Sequence, residues 1–433
     1  MSEITKLVKD LYPSLVEWRR DLHKHAESGW VEFRTASIVA TKLTEWGYEV
    51  KAGSEVVNES ARMGVPAADV LAYHEKRALE QGADPKWLEK FSGGFTGVVG
   101  IIDTGKPGPT IGFRFDMDAL DIQESLEADH KPVAEDFVSI NDKMMHACGH
   151  DSHTTIGLGA AKVLSEIKDQ LSGKIKVIFQ PAEEGVRGAK SMVEAGVVDD
   201  VDIFIAGHIG TGAATGVFSC ASNGYLATTK LDVTFTGVAS HAGGKPEEGR
   251  NALLAASSAA LNLYAITRHS DGASRINVGV LEAGSGRNII ANKAFMKIET
   301  RGETTEINEF IYDRAVKVLK GAATMYDAEL DIDIVGGAQT SNASPELLPF
   351  VRAQAEKVAG YHTIHEGTSA GGSEDATYMM TRVQEKGGLA TYCTFGSDIA
   401  AGHHNERFDI DEDAMPLAVE FVVNCALNAK EAK

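Results

Sequence analysis

Nine residues, Met145 to His153, read M-H-A-C-G-H-D-S-H and hold three histidines, one cysteine and one aspartate. So dense a cluster of potential ligands and acid–base groups needs a surrounding sheet and helices to fix it. About thirty residues later F-Q-P-A-E-E-G (179–185) sets two adjacent carboxylates behind an apolar run. Together the two segments point to a metal-assisted hydrolytic site, because such a site needs nitrogen, sulfur or carboxylate ligands and also a base for the attacking water.

The pattern around them is α/β. Apolar spacing predicts helices over Leu7–His25 and Thr35–Trp46, with H-A-E-S-G-W-V-E-F between them, where Glu27 and Glu32 read as solvated loop acids. Residues 54–92 are charged and alanine-rich and are expected to form a small helical insertion, with Val70, Tyr73 and Leu79 as its apolar pattern. Phe95–Asp103 and Thr110–Asp116 read as strands joined by the turn Gly105–Pro109. Thr154–Lys168 reads as a helix, Lys174–Gln180 as a strand alternating through Ile175, Val177 and Phe179, Gly188–Ala195 as a helix and Val201–Ala206 as a strand. Strand, polar cluster, helix and strand in repetition is the α/β rhythm.

From 227 to 340 the pattern changes to strand, helix, strand, strand, helix, strand, the ferredoxin-like order. The expected organisation is therefore a catalytic domain over 1–226 and 341–433, carrying the 54–92 insertion, with a second domain at 227–340. A chain of 433 residues has room for two or three domains.

Composition excludes several classes. The formal net charge is −20, which repels nucleic acid and anionic membranes. No apolar run is long enough to span a bilayer, and the first ten residues carry no apolar core of a signal peptide. Cys148, Cys220, Cys393 and Cys425 are widely spaced, so free thiols in a reducing cytoplasm are expected. A P-loop sequence and a dinucleotide fingerprint are both missing.

Among single residues, Cys148 and His150 stand two apart and can both reach one ion from an extended chain or tight loop. Glu183 and Glu184 can divide ligation and proton transfer. Asp118 follows a strand, at the kind of position where open α/β sheets place their chemistry. His208 follows another strand, and His403-His404 follow Gly402. Alone, each histidine reads more readily as structural. His241, in S-H-A-G-G-K-P, is not assignable from spacing.

Taken together, M-H-A-C-G-H-D-x-H, F-Q-P-A-E-E-G, G-H-I, S-H-A-G-G-K-P, G-S-G-R-N, G-G-S-E-D-A and G-H-H-N-E-R-F-D resemble the M20 metallopeptidase family. The match is most similar to its amidohydrolase branch of indole-acetyl-amino-acid, hippurate and N-acyl-amino-acid hydrolases. The segment W-R-R-D-L-H-K-H-A-E-S-G-W-V-E-F-R-T-A and the insertion beginning V-V-N-E-S-A-R-M-G-V-P resemble members acting on p-aminobenzoyl-glutamate.

The resemblance implies a zinc-peptidase-like catalytic domain, a ferredoxin-like lid that also makes a homodimer contact, and two divalent metal ions. Zinc or cobalt suits the cysteine, while the histidines and carboxylates also accept manganese. It implies Cys148, His150, Glu184, His208 and His404 as ligands, His404 being preferred to His403 because it precedes N-x-x-F. Glu183 is implied as general base, Asp118 as an acid supporting a histidine or the base, and His241 as oxyanion donor. Asn288 and Arg301 are implied as holders of the substrate carboxylate. The implied reaction is cleavage of p-aminobenzoyl-glutamate to p-aminobenzoate and glutamate. The competing expectations are a general N-acyl-amino-acid deacylase and a mainly structural partner to a second, homologous chain.

Overall fold

Strand Lys174–Gln180 shows how the chain is built. Ile175, Val177, Ile178 and Phe179 are all buried, not just the alternate residues. Burial on both faces is the mark of a central parallel strand covered by helices on each side. Even Lys176 is buried, its Nζ donating to the Val197 carbonyl at 2.9 Å.

The computed structural model describes residues 2–432 and divides into two units. The first runs from the N-terminus to Asn223, then 341–370, then 375 to the C-terminus; the second covers 224–340 and 371–374. In chain order the strands of the first unit are β1 (Glu49–Ala52), β2 (Val98–Asp103), β3 (Thr110–Asp116), β4 (Lys174–Gln180), β5 (Ile203–Ile209), β6 (Val217–Ser219) and β7 (Ser222–Asn223). The second unit contributes β8 (Ala227–Thr236), β9 (Ser274–Ala283), β10 (Lys293–Gly302) and β11 (Glu329–Ala338); the chain then returns for β12 (Thr363–His365), β13 (Thr368–Ser369) and β14 (Leu389–Phe395).

Eight of these form one sheet in the order β1-β2-β4-β3-β5-β14-β6-β12. Its centre, β4-β3-β5-β14, is parallel. The turn Gly105–Pro109 does not fold β2 and β3 side by side. β4 lies between them, antiparallel to β2 and parallel to β3. The helix His150–Glu166 supplies the crossover that a parallel β3–β4 pair requires. Helices Glu3–Lys24, His150–Glu166 and Ala414–Leu427 pack together, and the sheet and helices share one apolar core.

The 54–92 segment forms helices Ala68–Glu80 and Pro85–Phe91. Its apolar face is not the expected one: Leu71, Ala78, Trp87, Leu88 and Phe91 are buried, whereas Val70, Tyr73 and Leu79 are exposed. Packing on the helix Phe33–Glu45 selects the face, and short alanine-rich stretches carry too weak a pattern to show it.

The second unit is an antiparallel sheet in the order β11-β8-β10-β9. Helices Ala252–Tyr264 and Thr305–Met325 connect β8 to β9 and β10 to β11. They pack Ala256, Leu263, Ile311 and Leu319 with Leu231, Val233, Phe235 and Met296 of the strands. Both helices begin at side-chain caps, Asn251 Oδ1 accepting from Leu254 N and Thr304 Oγ1 from Ile307 N. No helix among the described residues is long and apolar enough to cross a membrane.

Candidate metal centre

The carboxyl ends of the four parallel strands carry the cluster. Asp116 ends β3 and Asp118 follows it, Glu183-Glu184 follow β4, His208 lies within β5, and His403-His404 follow β14. His150 does not sit in an extended loop. It is the first residue of the helix His150–Glu166, and Gly149 is the N-cap at φ 87°. A Cβ at Gly149 would also lie 2.7 Å from Ile209 Cγ2, so conformation and space both call for glycine. That sharp entry turns the Cys148 thiol and the His150 ring toward the same place.

His150 Nδ1 lies 2.8 Å from the Asp118 carbonyl. A carbonyl only accepts, so Nδ1 carries a proton and Nε2 is the ring atom left to face the cluster. His208 is held likewise, its Nδ1 donating to the Ile209 carbonyl at 2.8 Å while Nε2 lies 3.3 Å from Cys148 Sγ. Burial, with His153 and His403 nearby, keeps the His208 pKa well below its ordinary value, in the neutral form that ligates. Burial and the Glu184 carboxylate push the Cys148 thiol up to about 12. A cation replacing its proton would reverse that balance.

Asp118 organises the next segment. Its Oδ1 and Oδ2 accept from the backbone amides of Glu183 and Glu184, each at 2.9 Å. The preceding amide, of Ala182, donates to Glu32 Oε1 at 2.7 Å. Ala182 itself has φ 52°, a left-handed conformation that a non-glycine residue keeps only when its surroundings enforce it. Two buried carboxylates thus grip three successive amides and set where Glu183 and Glu184 point.

Glu32 is therefore no solvated loop acid. It is fully buried and also accepts from Thr96 Oγ1 at 2.7 Å, and burial followed by repulsion from Asp118 pushes it up to about 8. Glu27 is fully buried as well, accepting from the Arg34 and Thr35 amides, with Arg77 Nη2 at 3.4 Å. Nothing local in the sequence announces partners so distant along the chain.

The paired histidines separate at a second left-handed residue. His403 Nε2 turns to the Ile209 carbonyl at 3.2 Å, whereas His404, at φ 64°, brings Nε2 to 3.5 Å from Glu184 Oε1. Cys148, His150 and His208 offer ligand atoms within 4.8 Å of one another, as do Cys148, Glu184 and His404, and His150, Glu183 and Glu184. Two of these atoms, His150 Nε2 and Glu184 Oε1, are buried with no hydrogen-bond partner among the described residues. Buried polar atoms are seldom left so. A thiol, imidazoles and carboxylates converging with orphaned acceptor atoms fit a divalent metal.

Two further residues brace the cluster, one of them His153, which the sequence marks as more structural than ligating. His153 donates from Nδ1 to Asp116 Oδ1 at 2.5 Å and accepts the Ile209 amide at Nε2, bracing β3 against β5. Both of its nitrogens are thereby used. Asp375 accepts from Gln180 Nε2 and from the amides of Gly188 and Ala189, fixing the far side of the glutamate turn. The G-G-S-E-D-A motif is its only signal in the sequence.

The other three candidates belong to the second unit. His241 is exposed, its Nδ1 accepting from the Gly243 amide at 3.1 Å. Asn288 is exposed too, and its carbonyl accepts from the Ala242 amide at 3.0 Å, which places it beside His241. Arg301 stands on β10 with Nη2 3.0 Å from Glu299 Oε1.

Comparison with known proteins agrees with this chemistry. Residues 112–428 match the model of the Peptidase family M20/M25/M40. The chain is 54% identical over 429 residues to the indole-3-acetyl-aspartic acid hydrolase of Enterobacter agglomerans, covering 99% of this chain and 98% of that one. It is 53% identical to one of the component chains of the p-aminobenzoyl-glutamate hydrolase of Escherichia coli K12, with the same coverage. Its fold is similar to the crystal structure of an aminobenzoyl-glutamate utilization protein from Klebsiella pneumoniae. The TM-score is 0.87 at 49% identity, over 99% of this chain and 98% of that one.

Proposed function

Because the chain belongs to the Peptidase M20/M25/M40 family, and is a metal-dependent amide hydrolase, we propose that it cleaves p-aminobenzoyl-glutamate to p-aminobenzoate and glutamate. The observation that carries this reading is the convergence of Cys148, His150, Glu184, His208 and His404 around two orphaned buried atoms, with Glu183 beside them. The 53% identity to a chain of a p-aminobenzoyl-glutamate hydrolase supports the substrate. A second reading, cleavage of indole-3-acetyl-aspartate, is favoured by the 54% identity to that hydrolase.

In the proposed mechanism those five side chains would hold two divalent ions, zinc, manganese or cobalt. Bound there, such ions lower the pKa of water and polarise an amide carbonyl. Glu183 takes the proton from the attacking water and returns it to the leaving amine. Asp118 holds Glu183 in place through its amide and fixes the His150 tautomer through its own carbonyl. The second unit acts as a ferredoxin-like lid. His241 donates to the oxyanion, an interaction that strengthens as charge develops. Asn288 and Arg301 hold the α-carboxylate, Arg301 exchanging Glu299 for the substrate.

The apolar outer face of helix Ala252–Tyr264, with Leu254, Leu261 and Tyr264 exposed, supports a homodimer through the lid, and a second, homologous chain is the competing partner. Four free, buried cysteines support a cytoplasmic setting.

The test is turnover by the metal-loaded full chain of p-aminobenzoyl-glutamate, indole-3-acetyl-aspartate and benzoyl-glycine. Faster cleavage of p-aminobenzoyl-glutamate than of the other two is expected. Faster cleavage of indole-3-acetyl-aspartate would replace the first reading with the second, and faster cleavage of benzoyl-glycine would overturn both.

A further inference from the structure

Eight of the ten arginines in the first unit sit within 4.0 Å of a carboxylate. Arg62 and Arg187 do not, among the described residues. In a chain of net charge −20, two arginines with no carboxylate within 4.0 Å mark a place where an anion is wanted. Both adjoin the loop 62–64 of the insertion, and Arg187 adjoins the glutamate turn of the metal centre.

Arg187 is partly exposed. Its Nε donates to the Glu184 carbonyl at 2.8 Å and its Nη1 to the Gly64 carbonyl at 3.3 Å. These two carbonyls orient the guanidinium and leave Nη2 without a partner among the described residues. Gly29 makes room for that edge, since a Cβ there would lie 2.2 Å from Nη2. Arg62 is set differently. It lies 3.8 Å from the Phe95 ring centroid and 5.8 Å from that of Trp30, and donates to the Gly93 carbonyl at 2.6 Å. Trp30 Nε1 donates to the Met63 carbonyl at 2.8 Å, so the same indole steadies the loop between the two arginines.

We propose that Arg187, oriented by Gly64 of the insertion, is the subsite for the side-chain carboxylate of an acidic amino acid in the scissile amide. This rests on the amide-hydrolase reading above. Glutamate and aspartate amides carry two carboxylates. The lid residues Asn288 and Arg301 are assigned the one common to all amino acids, and Arg187 takes the one that distinguishes acidic side chains. Its guanidinium stands on the backbone of Glu184, whose side chain enters the metal cluster, so it borders the place where the amide must lie. A guanidinium whose orientation is already fixed meets a carboxylate with little further ordering. The insertion thereby gains a role: its Gly64 carbonyl holds the specificity residue in place.

The experiment compares kcat/KM of the metal-loaded full chain for p-aminobenzoyl-glutamate and for the neutral, near-isosteric p-aminobenzoyl-glutamine. Wild type should favour glutamate by roughly 10–100-fold, as expected for a charge-assisted contact. In Arg187→Met the ratio should collapse toward one, chiefly through KM for the glutamate substrate, and Arg187→Lys should restore part of it. Gly29→Ala keeps the arginine and crowds its Nη2 edge, so it should lower the ratio too, and it serves if Arg187→Met fails to fold. Equal loss on both substrates in Arg187→Met would make Arg187 a structural clamp and overturn the subsite. A wild type that cleaves both substrates equally also overturns the subsite but leaves the hydrolase reading standing. A wild type that cleaves neither overturns both.

Discussion

His150 and Asp151 are neighbours at the start of one helix and belong to opposite kinds of site. Asp151 faces a closed ionic cluster: His23 Nδ1 and Arg19 Nε each lie 2.8 Å from its Oδ2, His23 Nε2 lies 2.9 Å from Glu124 Oε1, and Arg19 Nη2 lies 2.6 Å from Asp409 Oδ1. Every charge there faces an opposite one from another part of the chain. His150 faces a cluster whose ring nitrogen and carboxylate oxygen have no hydrogen-bond partner among the described residues. His150 and Asp151 are equally buried, and what differs is the pairing of charge: Arg19 Nε and Nη1 also lack hydrogen-bond partners among the described residues, but each lies within 4.0 Å of a carboxylate. A closed cluster holds the fold together, whereas an open one is built for something the chain does not supply.

The sharpest break of this comparison is to remove a function from the open side without disturbing the fold. Glu183→Gln should lower kcat by about 10²–10⁴-fold, the usual range for loss of a general base, with an unchanged urea midpoint. Equal rates in wild type and variant would take Glu183 out of its assigned role. The converse break lies one residue from His150. Asp151→Asn leaves Arg19 and His23 buried beside a neutral group and should cost about 3–5 kcal/mol of stability, read by denaturant unfolding. A loss below about 1 kcal/mol would mean that the cluster relaxes and is not closed in the sense argued above.

Metal should distinguish the two clusters next. Completing the open one with zinc or manganese at a hundredfold excess over Kd should raise stability by about 2.7 kcal/mol. Chelation should reverse the gain, and Cys148→Ser or His404→Ala should reduce it. An Asp151→Asn chain that still folds should keep the metal increment, because its lesion lies on the other side of the helix start. Absence of any metal-dependent shift in the wild type would contradict the fit of the donor set.

The open cluster is far more legible in the sequence than the closed one, for a physical reason. Side-chain ligands of zinc-like ions are mostly cysteine, histidine or carboxylate, and an α/β sheet gathers such residues at strand ends, so residue type and position both signal the candidates. Strands β3, β4 and β14 are readable because both of their faces are buried. A closed cluster can be assembled from any ionisable residues, and its partners here are scattered: Arg19 and His23 in the first helix, Glu124 in a loop, Asp409 near the end. Glu27 and Glu32 are misread for the same reason. Their partners are mostly backbone amides, which are identical in every residue and leave no mark in the sequence. The exposed position of Val70, Tyr73 and Leu79 is hidden by an alanine-rich helix whose buried face depends on what packs against it.

The smallest effect tests the closed cluster through pH. Burial and Arg19 oppose protonation of His23, but its bonds to Asp151 and Glu124 outweigh them and push it up to about 9 from an ordinary value of 6.5. A folded pKa above the unfolded one means that the folded chain holds the proton more tightly. The contribution is complete below pH 6.5 and is lost as pH rises through 9. Between about pH 6.5 and 8 this amounts to roughly 1–2 kcal/mol. Glu32, pushed up to about 8, bends stability in the same direction, because the unfolded chain has already released that proton. The wild-type slope alone therefore cannot assign the effect. His23→Gln removes one contributor and should flatten the unfolding free energy over this window while leaving the Glu32 part in place. A variant as steep as wild type would show that His23 is neutral in the folded chain, and that the cluster balances Asp151 with Arg19 alone.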